Sequence, residues 1–204
     1  MDKDHAVALK HFKKVDPVLH GEAKRLLKTL SRRAEIRRAD LLYAALAESI
    51  VSQQLSVKAS DTIWTRLKTA CGGKVTPSSV LTTSLPRMRK AGLSAAKAKT
   101  LKELAKAVEK GLHLPALKKK SPEEATATLT QVWGIGPWTA EMFLMFGLSH
   151  PDIFSARDLG LVRSMEALYG LKNPSIQELD AIAVKWSPHR SLASRILWKS
   201  RDSG

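Results

Sequence analysis

One cysteine, Cys71, stands in a chain of 204 residues, which excludes an internal disulfide, a cysteine-built zinc site and a four-cysteine iron–sulfur cluster. Acid is scarce as well: 19 Asp and Glu against 34 Lys and Arg leave a formal charge of +15 and a pI near 10.1. Such an imbalance draws phosphate-rich partners, nucleic acid first among them, and says nothing about fold. No stretch approaches the ~20 apolar residues that a membrane span requires, and Asp2, Lys3, Asp4 and His5 precede any apolar run. The expectation is therefore an intracellular, unanchored protein, in a bacterial cytoplasm or a nucleus. The six histidines, at 5, 11, 20, 113, 150 and 189, lack the helical pairing that a zinc site would use.

The hydrophobic share, 44%, is enough for a sizeable core. Basic residues are spread along the whole chain, with local concentrations at Arg32 to Arg38 and Lys118 to Lys120 that read as solvated loops. No repeat or Gly/Ser linker divides the sequence, so it is expected to be one cooperative domain over 1–204, with its weakest seams near Ser31 to Asp40 and His150 to Ser155.

Apolar residues recur three and four apart, and alternation over a strand's length is absent, so the fold class is all-α. Asp16-Pro17 reads as an N-cap followed by a first-turn proline, and Ser121-Pro122-Glu123-Glu124 has the spacing of a capping box. Ser94 opens a helix carrying Leu101, Leu104, Ala105 and Val108 that stops at Gly111. Leu41, Leu42, Ala45, Leu46, Ile50 and Gln53 form one face of a helix running out of Asp40, and Ser187-Pro188 opens the last helix. The count comes to about nine or ten helices.

The segment LTQVWGIGPWTAEMF, residues 129–143, is the most informative. Gly134-Ile135-Gly136 followed by Pro137 and an apolar run spells helix, tight hairpin, helix. Missing side chains at Gly134 and Gly136, with the free N–H groups and dipole of the second helix, would admit a DNA phosphate, with Thr139 in the same first turn. Such a hairpin grips backbone and reads no sequence. A dinucleotide-binding fingerprint fails here, because no strand precedes the glycines and Thr139 stands where a third glycine belongs. Downstream, in DIFSARDLGLVRS, Asp158 reads by itself as the N-cap of a helix through Leu161, Val162 and Met165.

Taken together, the hairpin and the later aspartate resemble the helix-hairpin-helix, glycine/proline-rich loop, aspartate motif of the DNA glycosylase superfamily. AESIVSQQLSVKAS, residues 47–60, and WSPHRSLASRILW, residues 186–198, are similar to the 3-methyladenine DNA glycosylase II branch. That resemblance implies a bilobal helical enzyme in the compact form without an N-terminal β domain. Its cleft would divide a central bundle, about 38–148, from a lobe made of 1–37 and 149–204. It also implies that Asp158 is the catalytic carboxylate, with Asp152 the neighbouring acid to be distinguished from it. Trp138 and Trp198 match aromatic positions of the base pocket, while Met142 and Leu159 stand where related members have tyrosine, leaving that pocket less aromatic. The side chain that fills the gap left by a flipped base matches Gln54, with Gln53 beside it. A monovalent Na⁺ or K⁺ is implied on the carbonyls of Thr130, Val132 and Ile135, aiding phosphate binding; no other cofactor is expected. Trp64, Trp133 and Trp186 are expected in the core.

The activity so implied is base excision repair by a monofunctional enzyme. It would flip and release alkylated bases of the 3-methyladenine and 7-methylguanine type from double-stranded DNA, leaving an abasic site. Bifunctional branches place a Schiff-base lysine early in the second hairpin helix, where this chain has Trp138, Thr139 and Ala140, so no lyase step is expected. A fixed carboxylate suits the chemistry, since positive charge develops on the sugar as the base departs. A monomer is expected, because one cleft acting on one base needs no symmetric partner. Two alternatives share the hairpin and the charge: a non-catalytic protein that binds DNA backbone, and a glycosylase for deaminated or oxidised bases. Asp158 separates the first of these, because a carboxylate at the DNA face repels phosphate and benefits only an enzyme.

Overall fold

The computed structural model describes residues 3–30 and 41–202. The basic cluster Arg32 to Arg38, the seam at Ser31 to Asp40 and the helix start at Asp40 lie outside the described residues. Among those described the chain is helical and carries no strand. Twelve α-helices are present among the described residues, more than the nine or ten expected, because short ones at Pro77–Thr82 and Leu85–Lys90 are too brief to show a period. The chain divides into two compact units, one made of Met1–Ala34 with Ser149–Gly204 and one of Glu35–Leu148.

The second unit is built around α3 (Leu42–Ser52), once α1 (Lys3–Val15) and α2 (Pro17–Leu26) have been assigned to the other. Leu42, Tyr43, Leu46, Ile50 and Val51 of α3 are all buried, so this helix has almost no polar face. An all-round apolar helix must be central, and α3 packs against α4 (Val57–Ala70), α7 (Ala95–Glu109) and α9 (Pro137–Met142). The Tyr43 hydroxyl donates to the Leu101 carbonyl at 3.1 Å, fastening α3 to α7. Between them come α5 (Pro77–Thr82) and α6 (Leu85–Lys90), and α8 (Pro122–Thr130) precedes the hairpin. Side-chain caps start these helices where the sequence places Ser or Thr: Ser56, Thr76, Ser84, Ser94 and Ser121 each accept from a backbone N–H three residues on. Ser121 and Glu124 bond reciprocally at 3.2 and 3.0 Å, as their spacing predicts. After α9 the chain widens into a π turn, Phe143–Gly147, where a Cβ on Gly147 would run into the Phe143 ring.

In the first unit α1 packs on α2, and α2 packs on α10 (Leu159–Tyr169) and α12 (Arg190–Asp202), while α11 (Ile176–Ala183) and α1 both meet the short turn Val184–Trp186. Phe12, Leu19, Leu161, Met165, Trp186, Ile196 and Leu197 form its core. At its centre Asp16 does more than cap α2: its Oδ1 accepts from the Leu19 N–H at 2.9 Å, and its Oδ2 accepts from the Tyr169 hydroxyl and the Trp186 indole N–H, both at 2.7 Å. A buried carboxylate is tolerated because every close donor is aimed at it. The last helix begins at Arg190, two residues beyond the expected Ser187-Pro188 start. Its N-terminus is capped instead by Asp152, which accepts from the Arg190 N–H at 3.1 Å.

Candidate functional site

In the hairpin, α8 ends at Thr130 and α9 begins at Pro137, with Gly134 at φ +84° between them. The two glycines do different work. A Cβ at Gly134 would run into the Thr100 hydroxyl, so this position requires glycine for the left-handed backbone and for close packing on α7. Nothing lies within 4 Å of a Cβ built on Gly136, which leaves an open face at the start of α9. There the first intrahelical bond, Ala140 N–H to the Gly136 carbonyl, comes at 3.1 Å. First-turn N–H groups before it have no intrahelical acceptor, and the helix dipole favours an anion. The Thr139 side chain is not part of that face. It is only 2% exposed, and its hydroxyl accepts from Gln53 Nε2 at 2.7 Å.

That bond separates the two glutamines which the sequence left side by side. Gln53 is the C-cap of α3 and is held inward on Thr139. Gln54 is exposed at φ +56°, the left-handed region, at the tip of the turn into α4. An L-residue there costs of order 1 kcal/mol, so the turn must be held from outside. Lys97 holds it. Its ammonium donates to the carbonyls of Val51 and Gln53, both at 2.7 Å, closing the C-terminal end of α3. Burial draws this ammonium below its ordinary pKa. Sequence reasoning missed Lys97, since a lysine in the first turn of its own helix looks merely unfavourable; its role depends on a carbonyl 46 residues away. Trp138 is half-buried and Met142 buried on α9.

In the other unit, Asp158 is the N-cap of α10, and its Oδ1 accepts from the Leu161 N–H at 2.9 Å and from the Trp198 indole N–H at 2.8 Å. The carboxylate is half-buried and fixed from two helices, α10 and α12. Gly160 makes the pairing possible: a Cβ there would lie 3.0 Å from Asp158 Oδ1 and 3.1 Å from both Cδ1 and Nε1 of Trp198. Leu159, next to the aspartate, is 61% exposed, too open for a core role. Asp152 is occupied elsewhere. It takes Arg190 Nε at 2.9 Å, Arg190 Nη2 at 3.1 Å and the Ser187 hydroxyl at 2.7 Å, a clamp between the loop and α12. Burial alone would raise its carboxyl, but the Arg190 and Ser187 hydrogen bonds and the guanidinium charge outweigh it, and the net is a depressed pKa.

No cluster of three or more His, Cys, Asp or Glu able to hold a metal occurs among the described residues. The carbonyls of Thr130, Val132 and Ile135 end α8 and open the hairpin; that of Val132 already accepts the Ile135 N–H at 3.0 Å. Neutral oxygens at a helix C-terminus are a donor set suited to a hard cation of low charge. No described helix is long and apolar enough to cross a membrane.

The chain as a whole is similar to known proteins. A DNA-3-methyladenine glycosylase of Schizosaccharomyces pombe is 35% identical over 164 residues, 78% of this chain and 72% of that one. A solved 3-methyladenine DNA glycosylase from the same yeast, in complex with abasic DNA, superposes with a TM-score of 0.80 at 31% identity, covering 96% of each chain. A DNA-3-methyladenine glycosidase from Bacillus halodurans superposes with a TM-score of 0.81 at 30% identity, covering 95% of this chain and 88% of that one. The family model described as HhH-GPD superfamily base excision DNA repair protein matches residues 47–189. Because that match takes in the glutamine turn, the hairpin and the capped aspartate together, this chain belongs to the HhH-GPD superfamily of base excision DNA repair proteins.

Proposed function

We propose that the protein is a monofunctional DNA glycosylase that flips alkylated bases, of the 3-methyladenine and 7-methylguanine type, out of duplex DNA and hydrolyses their N-glycosidic bond. The observation that carries this reading is the Asp158 carboxylate, fixed at 2.9 and 2.8 Å by two donors at the start of α10. A protein that only gripped backbone would lose affinity by presenting such a group. Leaving the stack costs a few kcal/mol, and least at a damaged pair, so selection begins with flipping. Gln54, exposed at the α3–α4 turn, fills the gap, with Gln53 holding that turn to α9.

The C1′–N bond then breaks with its electron pair leaving on the base. A cationic alkylated base departs neutral and needs no added proton. Positive charge grows on the deoxyribose, and Asp158 stabilises it electrostatically; water adds through its oxygen to C1′ and loses a proton, leaving an abasic site. The indole face of Trp198, beside Asp158, suits a cationic base, a contact worth about 1–2 kcal/mol, with the exposed Leu159 as an apolar neighbour; the indole of Trp138 on α9 has the same chemistry to offer. Trp138, Thr139 and Ala140 fill the first turn of α9, which supports cleavage without a Schiff-base lysine and hence without strand nicking. Gly136 and the α9 N-terminus take a DNA phosphate. Na⁺ or K⁺ on the carbonyls of Thr130, Val132 and Ile135 would add positive charge beside that phosphate. We infer a monomer acting on double-stranded DNA.

The test is base release from methylated duplex DNA by the wild type and by Asp158→Asn, with binding to abasic DNA measured in parallel. Release by the wild type, lost in the variant while binding is kept or tightened, is the expected result. Equal binding by both with no 3-methyladenine or 7-methylguanine freed by either would overturn the alkylated-base assignment.

A further inference from the structure

Trp133 does not follow the expectation of a core tryptophan. It is 47% exposed, whereas Trp64 and Trp186 are buried. It immediately precedes Gly134 in the hairpin, and the ammonium of Lys99 sits 4.0 Å from its ring centroid. Lys99 is exposed on α7, and the next residue, Thr100, is the one that fills the space against Gly134. Consecutive residues of α7 thus meet consecutive residues of the hairpin, so the register of the Lys99–Trp133 pair is locked by the Thr100–Gly134 packing. The nearest acid along the helix, Glu103, makes its close ion pair with Lys106 at 2.9 Å, and Lys99 acts on it only through space. Stacking on a ring face still leaves an ammonium's N–H groups directed outward to an acceptor.

We propose that Trp133 and Lys99 form a second backbone contact beside the hairpin. The Lys99 ammonium neutralises a phosphate neighbouring the one at Gly136, and the exposed indole packs on the adjoining deoxyribose while holding that ammonium in place. A base in an intact duplex is out of reach of a side chain lying beside the phosphates, so the apolar partner of the indole is sugar and the contact is blind to sequence. A net charge of +15, with Lys106 rather than Lys99 as the close ion-pair partner of Glu103, favours a polyanion over a protein surface. This inference rests on the reading of the hairpin as a DNA grip and is independent of whether a base is cleaved.

The experiment measures equilibrium binding of the full chain to undamaged and abasic duplex DNA across a range of salt, for the wild type, Lys99→Gln, Trp133→Ala and the double variant, with melting temperatures recorded for each. Losing one phosphate contact lowers the slope of log K against log salt by about 0.9, and Lys99→Gln is expected to do so on both DNAs. Trp133→Ala is expected to weaken binding about fivefold. In its background Lys99→Gln should change the slope less, because the ammonium is no longer held. DNA should also quench tryptophan fluorescence less in Trp133→Phe, which keeps the packing, than in the wild type. Unchanged slope and affinity in correctly melting variants, or fully additive effects in the double variant, would overturn the proposal. Because every readout is binding, failure here is distinct from failure of base release in the Asp158→Asn test.

Discussion

Replacing Trp198 by Phe removes one hydrogen atom of consequence. The ring remains on α12 against the core of its unit, but the indole N–H that donates to Asp158 Oδ1 at 2.8 Å is gone. A hydrogen bond to a charged group contributes about 1.5–3 kcal/mol. The Leu161 N–H at 2.9 Å still fixes the same oxygen, so orientation is loosened rather than lost. If the whole of that bond acts in the transition state, where the carboxylate must face the growing positive charge, base release slows by about 10- to 100-fold, since 1.36 kcal/mol is tenfold in rate. Packing loss from Trp to Phe is about 1 kcal/mol, which shifts Tm by roughly 2–4 °C in a chain of this size. The assay is single-turnover release of 7-methylguanine at saturating enzyme, with abasic-DNA binding and Tm measured on the same preparation. Phe keeps an aromatic face, so affinity should fall far less than rate. A variant that releases base at the wild-type rate while its melting behaves as above would refute the claim that the indole N–H orients Asp158.

Lys97→Met should cost about 1–2 kcal/mol of stability, because two charge-assisted bonds to the Val51 and Gln53 carbonyls disappear and the methionine still fills the stem's place. Its larger effect should be on flipping, seen as weaker binding to abasic DNA than to undamaged duplex relative to the wild type; equal losses on both would sink the link to the Gln54 turn. Asp152→Asn should destabilise the protein by about 2 kcal/mol at neutral pH, a drop of roughly 4–8 °C in Tm, by leaving Arg190 without its carboxylate. The folded pKa of Asp152 lies below its ordinary value of 3.8, so this contribution is complete above that value and is lost as pH falls through the depressed one. The melting gap between wild type and variant should therefore close in acid, and a gap that stayed constant through that fall would refute the assignment.

The sequence was legible wherever the determining interaction is local. Helix starts at Asp16, Ser94 and Ser121 depend on a donor three residues away, and the helical period of α3 and α7 is written in consecutive side chains. The hairpin with its two glycines is equally local, and so is the N-cap geometry of Asp158. Short helices escaped because six residues do not complete two turns. The start of α12 moved because its cap, Asp152, lies 38 residues upstream.

What tertiary structure alone decided are the pairings across long stretches of chain. Nothing in a linear string says that Gln53 turns inward to Thr139, 86 residues on, which leaves Gln54 as the exposed one of two identical side chains. Trp198 and Asp158 are 40 residues apart, and the bond that orients the carboxylate depends on Gly160 leaving room where the two helices meet. Composition assigned Trp133 to the core, yet the Thr100–Gly134 contact holds the hairpin so that this indole faces water under Lys99. By itself the sequence determined the helices, the hairpin and the capping role of Asp158, because backbone hydrogen bonding and side-chain period act over a few residues. The direction each functional side chain faces was set by packing, which acts between residues that the sequence keeps far apart.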